Sequence, residues 1–131
     1  MHKKFIATGS VLAAIAVALG AFGVHGLKKI VSAETVQTFQ TGVQYQMYHS
    51  LALLLTGLLY EKCHQKFAKI AGLLFLIGII LFGGSLYLLT VFNAAETVGM
   101  EKFGLITPFG GIAFIIGWLF LFLAVMRTKN L

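Results

Sequence analysis

Charged and apolar residues are segregated along this chain. Asp, Glu, Lys and Arg are absent from residues 5–27, 35–60, 70–95 and 103–126, and all fourteen charged side chains fall between these windows or at the ends. Each window exceeds the roughly 20 residues an α-helix needs to cross a hydrocarbon core about 30 Å thick, where a central charge would cost several kcal/mol. The pattern predicts an all-α, polytopic membrane protein. It forms one four-transmembrane-helix bundle over residues 1–131, with spans at about 5–24, 41–60, 70–92 and 105–126.

Within the spans the pattern is finer. In helix one, Gly9, Ala13, Ala16 and Gly20 recur at three- and four-residue spacing. Lipid gives helices no hydrophobic drive to associate, so a small-residue stripe that lets backbones approach marks helix one as the expected central span. Helix two is amphipathic first: Val36, Phe39, Val43 and Met47 form one stripe, and Gln37, Gln40, Gln44 and Tyr48 another. It is expected to start outside the bilayer with Ser32 as N-cap and to carry Gln44, Tyr45, Gln46, Tyr48 and His49 in on its first membrane turns. Helix three holds Gly83-Gly84-Ser85 and Tyr87, where the glycines permit close packing or a local distortion whose freed backbone groups Ser85 can satisfy. Helix four opens at Thr107-Pro108, with Thr107 as the expected N-cap, and then carries Gly110, Gly111 and Gly117 as packing positions ahead of Trp118.

Composition agrees: 59% of the 131 residues are hydrophobic and 15 are glycine. The net charge of +6 is scattered over separate gaps, so it does not describe a nucleic-acid face. It describes topology instead. With four spans, Lys3, Lys4, Lys62, Lys66, Lys69, Arg127 and Lys129 share one side, and Lys28, Lys29 and Lys102 the other. That asymmetry places both termini in the cytoplasm or its equivalent. The expected location is the cell membrane, inner or plasma. The same face would attract anionic membrane lipids. The single cysteine, Cys63, lies in a cytoplasmic loop as an ordinary thiol. Lys3-Lys4 and the apolar run after it imitate a secretory signal, but a 20-residue run exceeds the usual 7–15, so it is kept as helix one.

Little chemistry fits inside. No carboxylate enters the spans, and no phosphate-cradling loop or nucleophile elbow is present. His25 and His49 come from adjacent helices, yet a haem between them needs a cavity where the small-residue stripe demands contact. A zinc site needs three or four ligands, and only Glu34 could join these two histidines. No metal and no cofactor is expected.

Four runs, GAFGVHGL at 20–27, QYQMYHSLALL at 44–54, LFGGSLYLL at 81–89 and ITPFGGIAF at 106–114 followed by Gly117-Trp118, closely resemble the signature segments of the domain-of-unknown-function 423 family. Its members are small four-helix inner-membrane proteins of bacteria, with relatives in mitochondria. Gly83 and Val24 stand where the family carries small Ser or Ala. The resemblance implies architecture and brings no reaction with it.

With the N-terminus inside, His25, Gln44, Tyr45, Tyr48, His49, Ser85, Tyr87 and Thr107 are expected to converge on the outer leaflet. Two readings stay open. Polar side chains can act as glue that fixes helix register, or they can line a ligand-binding pocket. The function expected is a non-catalytic membrane component that packs with itself, as a homo-oligomer, or with a larger membrane complex. The alternative is a transporter, channel or lipid- or quinone-binding protein using a pocket of His25, Gln44, Tyr48 and His49.

Overall fold

A computed structural model describes residues 1–97, 99 and 101–128. Lys129, counted above among the basic residues, lies outside them, as do Val98 and Met100 of the loop between helices three and four. The described residues form four long helices: α1 (Lys3–His25), α2 (Ala33–Leu59), α3 (Gln65–Ala94) and α4 (Thr107–Met126). α3 is composite, with a π turn at Ile79–Gly83 between the α-helical stretches Gln65–Gly78 and Gly84–Ala94. By length and composition, α1, α3 and α4 with their flanking turns can cross a membrane. α2 is long enough at 27 residues, but Gln37, Gln40, Gln44 and Gln46 dilute its hydropathy.

Local chemistry sets the helix starts. Ser32 caps α2 by accepting from the Thr35 N–H at 3.2 Å. His2 and His64 do the same for α1 and α3, their Nδ1 atoms accepting from Phe5 and Phe67 N–H. Thr107 departs from expectation. It is the first residue of α4, whose cap is Ile106 without a side-chain bond, and its hydroxyl is engaged with Ser85 at 2.6 Å.

The helices pack as two antiparallel hairpins, α1 against α2 and α3 against α4, joined mainly through α2 and α3. This overturns the central place expected for helix one. α1 buries Phe5, Gly9, Ala16 and Gly23, whereas α2 buries eleven residues. The reason is the width of the contact face: the small-residue seam of α1 meets α2, with Phe5 reaching Gly72 of α3, and α2 presents different faces to α1, to α3 and to the aromatic rings of α4.

Close approach occurs at particular glycines. A Cβ on Gly9 would stand 2.7 Å from the Ser50 carbonyl oxygen and 3.1 Å from the Leu54 nitrogen, and one on Gly110 would collide with the Phe82 backbone. A Cβ on Gly117 would stand 2.9 Å from the Phe75 ring. At Gly20 and Gly83 a methyl would make only ordinary contacts, and at Gly84 and Gly111 it would meet nothing within 4 Å. Ala16 is buried and Ala13 half-buried. Gly57 is a further crossing point, where a Cβ would stand 2.8 Å from Ile6 and 3.1 Å from the His2 carbonyl oxygen.

Gly9→Ala and Gly110→Ala are therefore expected to destabilise the bundle by about 1–3 kcal/mol through overpacking. Gly111→Ala should be neutral or stabilising by a few tenths, because Ala is the better helix former. Thermal unfolding of the three variants in mild detergent checks the ranking; equal tolerance at Gly9 and Gly111 would contradict the packing described.

Candidate functional site

The buried polar residues of α2 lie on the face that its packing turns inward. Gln46, the middle residue of the 27-residue helix, is 3% exposed and bonds in two directions. Its Nε2 donates to the Leu12 carbonyl of α1 at 2.8 Å, and its Oε1 accepts from the Tyr87 hydroxyl of α3 at 2.7 Å. One amide thus ties three helices together. Nearer the end away from the chain termini, Gln40 Nε2 donates to the Gly20 carbonyl at 3.2 Å, and Asn93 Nδ2 donates to the Thr35 hydroxyl at 3.4 Å.

One turn beyond Gln46, His49 is 4% exposed. The Trp118 indole N–H, which can only donate, reaches His49 Nε2 at 3.1 Å, while His49 Nδ1 lies 2.7 Å from the Tyr45 carbonyl, which can only accept. These partners select one state: neutral imidazole with its proton on Nδ1. The ring is further stacked on Phe114, with centroids 3.5 Å apart and planes at 10°. His49 is consequently a fixed element that joins α2 to α4.

Ser85 closes the third connection. Its hydroxyl lies 2.9 Å from the Phe82 carbonyl at the π turn and 2.6 Å from the Thr107 hydroxyl, so the distortion expected at Gly83-Gly84-Ser85 is present and locally satisfied. Among the described residues no buried side-chain nitrogen or oxygen lacks a partner.

Beside His49, a groove of about 530 Å³ opens between α2 and α4, walled by Tyr45, Tyr48, Phe82, Phe114 and Trp118. The Tyr45 ring is nearly parallel to His49 and Phe114, at 9° and 13°. A second groove of about 570 Å³ lies between Leu19, Phe22, Phe39, Tyr87 and Thr90 and is almost wholly apolar.

The eight residues expected at one outer cluster are divided among several places. Tyr45, Tyr48 and His49 share the first groove, Ser85 pairs with Thr107, and Tyr87 serves Gln46. Gln44 and His25 are exposed, His25 at the far end of α1. Gly23 packs at the level of Phe39 and Gln40, so the ten residues from Phe39 to His49 separate the two histidines by about 15 Å along the bundle axis. Depth is corrected too: His49 sits three residues past the middle of α2, against Trp118 near the middle of α4, and not on the outer turns. Among the described residues no three His, Cys, Asp or Glu side chains gather within reach of one metal ion. The expected set omits Gln46 and Trp118. Gln46 falls in register with Gly42, Val43, Ser50 and Leu53 on the buried face, a signal open to the same three- and four-residue count used for the apolar stripe.

Apolar spanning helices held together by interior hydrogen bonds define a small polytopic membrane protein. A family model described as "Protein of unknown function (DUF423)" matches residues 19–111, and the chain belongs to that family. It is 42% identical to the UPF0382 membrane protein YwdK of Bacillus subtilis, over 95% of this chain and 98% of that one. A UPF0382 membrane protein of Haemophilus influenzae is 38% identical over the full length of both chains. The UPF0382 inner membrane protein YgdD of Escherichia coli is 33% identical over 88% of this chain and 84% of its own. No solved structure gives a significant match.

The three-helix tie makes a quantitative forecast. Tyr87→Phe should cost about 0.6 kcal/mol, the average for an interhelical side-chain bond, and Gln46→Leu more, since it removes both bonds and strands the Tyr87 hydroxyl. The double variant should cost less than the sum of the two, by about 0.5–1 kcal/mol. Detergent unfolding of all four proteins measures the coupling, and strict additivity would remove Tyr87 from the network.

Proposed function

We propose that the chain crosses the membrane four times with both termini on the cytoplasmic side and acts as a non-catalytic membrane component that packs against a second copy of itself or a larger membrane assembly. The observation that carries this reading is the inverted polarity of the second half of α2, from Gln46 onward. Gln46, His49, Ser50 and Thr56 are buried, while Leu51, Leu55 and Leu58 are 53%, 43% and 50% exposed on the outside. A helix surrounded by water would reverse that arrangement; one in hydrocarbon requires it.

Orientation follows from charge. Lys3, Lys4, Lys62, Lys66, Lys69 and Arg127 flank the end bearing the termini, and Lys28, Lys29 and Lys102 flank the other. The non-catalytic reading is supported by the commitment of both His49 ring nitrogens to structural bonds and by the lack of any carboxylate among the buried polar residues described. Packing against a further helix is supported by α1. Its outward face keeps Ala7, Ala14, Ala18 and Ala21 exposed, a second row of small residues beyond the one used against α2.

The alternative pocket of His25, Gln44, Tyr48 and His49 loses its first two members to geometry, leaving the Tyr45–Tyr48–His49 groove as the one place where ligand binding has support.

Topology is tested with an impermeant maleimide. Cys63 is a poor reporter, because it is buried and burial pushes its thiol up from the ordinary range, slowing reaction. In a Cys63→Ser background, Lys66→Cys should label only after the membrane is opened and Lys29→Cys in intact cells; the reverse pattern would invert the orientation. Counting subunits in lipid nanodiscs checks self-packing: the parent protein is expected as an oligomer that Ala14→Phe with Ala18→Phe dissociates, and a monomeric parent would leave only the larger assembly.

A further inference from the structure

We infer that the groove between α2 and α4 binds the head of a lipid-soluble quinone, with the Tyr45 and Tyr48 hydroxyls donating to its carbonyl oxygens. The inference goes beyond the packing role and rests on α2 lying in the membrane. Shape comes first. Tyr45, His49 and Phe114 present nearly parallel planes, and Phe82, Tyr48 and Trp118 line the rest of an open aromatic groove against which a flat ring can lie. The volume of about 530 Å³ falls within the span of ordinary small-molecule sites, about 300–1,000 Å³. Gly111 keeps the α4 side open, since a side chain there would point into empty space.

Hydrogen bonding comes second. Neither the Tyr45 nor the Tyr48 hydroxyl has a partner among the described residues, whereas the buried polar side chains of the bundle all do. Both tyrosines stand within two residues of the midpoint of α2, are 39% and 54% exposed and line the groove. Acyl chains have no acceptor to give them. Phospholipid esters and headgroups lie about 15 Å away, at the edges of a hydrocarbon core about 30 Å thick. The groove therefore offers donors and aromatic faces at a depth reached by molecules that carry acceptors on a flat ring and dissolve in hydrocarbon, and a prenylated quinone has both properties. Third, the Phe82 wall belongs to the π turn, a distortion that costs regular helix bonding and recurs at functional sites. Binding alone is inferred; no electron transfer is assigned.

Trp118, the sole tryptophan, lines the groove and supplies the readout. The full-length protein in phosphatidylcholine nanodiscs is titrated with a short-chain ubiquinone and a short-chain menaquinone. Saturable quenching of Trp118 emission is expected with at least one of them. Tyr45→Phe with Tyr48→Phe should weaken apparent affinity at least tenfold at an unchanged melting temperature, and Gly111→Leu should abolish saturation. Linear quenching that is identical in the parent and the tyrosine double variant would overturn the proposal. So would efficient disulfide linkage of two Ile115→Cys copies in the Cys63→Ser background, which would place a second chain in the groove. Lipids brominated near the middle of the acyl chain separate the two levels of argument. If they quench Trp118 and quinones do not saturate, the quinone site fails and the four-span reading stands; if they do not quench Trp118, the groove does not face hydrocarbon and the four-span reading fails with it.

Discussion

A polar group buried between helices must find its partner inside the protein, and the arrangement of this bundle follows from that constraint acting on α2. Gln46 cannot be satisfied by α2 alone. It takes the Leu12 carbonyl from one neighbour and the Tyr87 hydroxyl from another, which sets the axial register of α1 and α3 against α2. His49 and Trp118 repeat the device toward α4, and Ser85 with Thr107 repeats it between α3 and α4. Apolar contact gives these helices area, and the hydrogen bonds select which areas meet.

Much of the fold could be read from the chain and some could not, for identifiable reasons. Charge-free windows locate helices because a buried charge is costly whatever the neighbours do. Ser32 as a cap and the distortion near Gly83-Gly84-Ser85 are local and were legible for the same reason. Which helix lies at the centre is a pairwise property. A row of small residues says that a helix is approached closely but not by how many partners, and the row on α1 faces α2. Thr107 shows a related limit: a hydroxyl at a helix start can cap its own helix or bond a neighbour, and only the position of Ser85 decides. His25 and His49 do not meet, because His25 lies at the far end of α1 and His49 three residues past the middle of α2, and their relative height is fixed only by the register of the two helices.

The divided fate of the expected cluster separates two roles that one list of polar residues had merged. Gln46, Tyr87, Ser85 and Thr107 are consumed by interhelical bonds, and their partners are accounted for. Tyr45 and Tyr48 lie on the same stretch of α2, yet their hydroxyls have no partner among the described residues, beside a histidine whose own nitrogens are both engaged. Structural polarity and available polarity thus lie on adjacent turns of one helix.

The pairing of α1 with α2 also bears on how such a chain enters a bilayer. With its glutamines, α2 is the helix least able to partition by itself, and insertion of a helix is judged largely on its own hydropathy. Yet α1 precedes it and already carries, at Leu12 and Gly20, the two carbonyl oxygens that Gln46 and Gln40 occupy. Were α2 to cross the membrane as proposed, these two bonds would let it enter lipid paired with α1, as a hairpin whose glutamines are already satisfied.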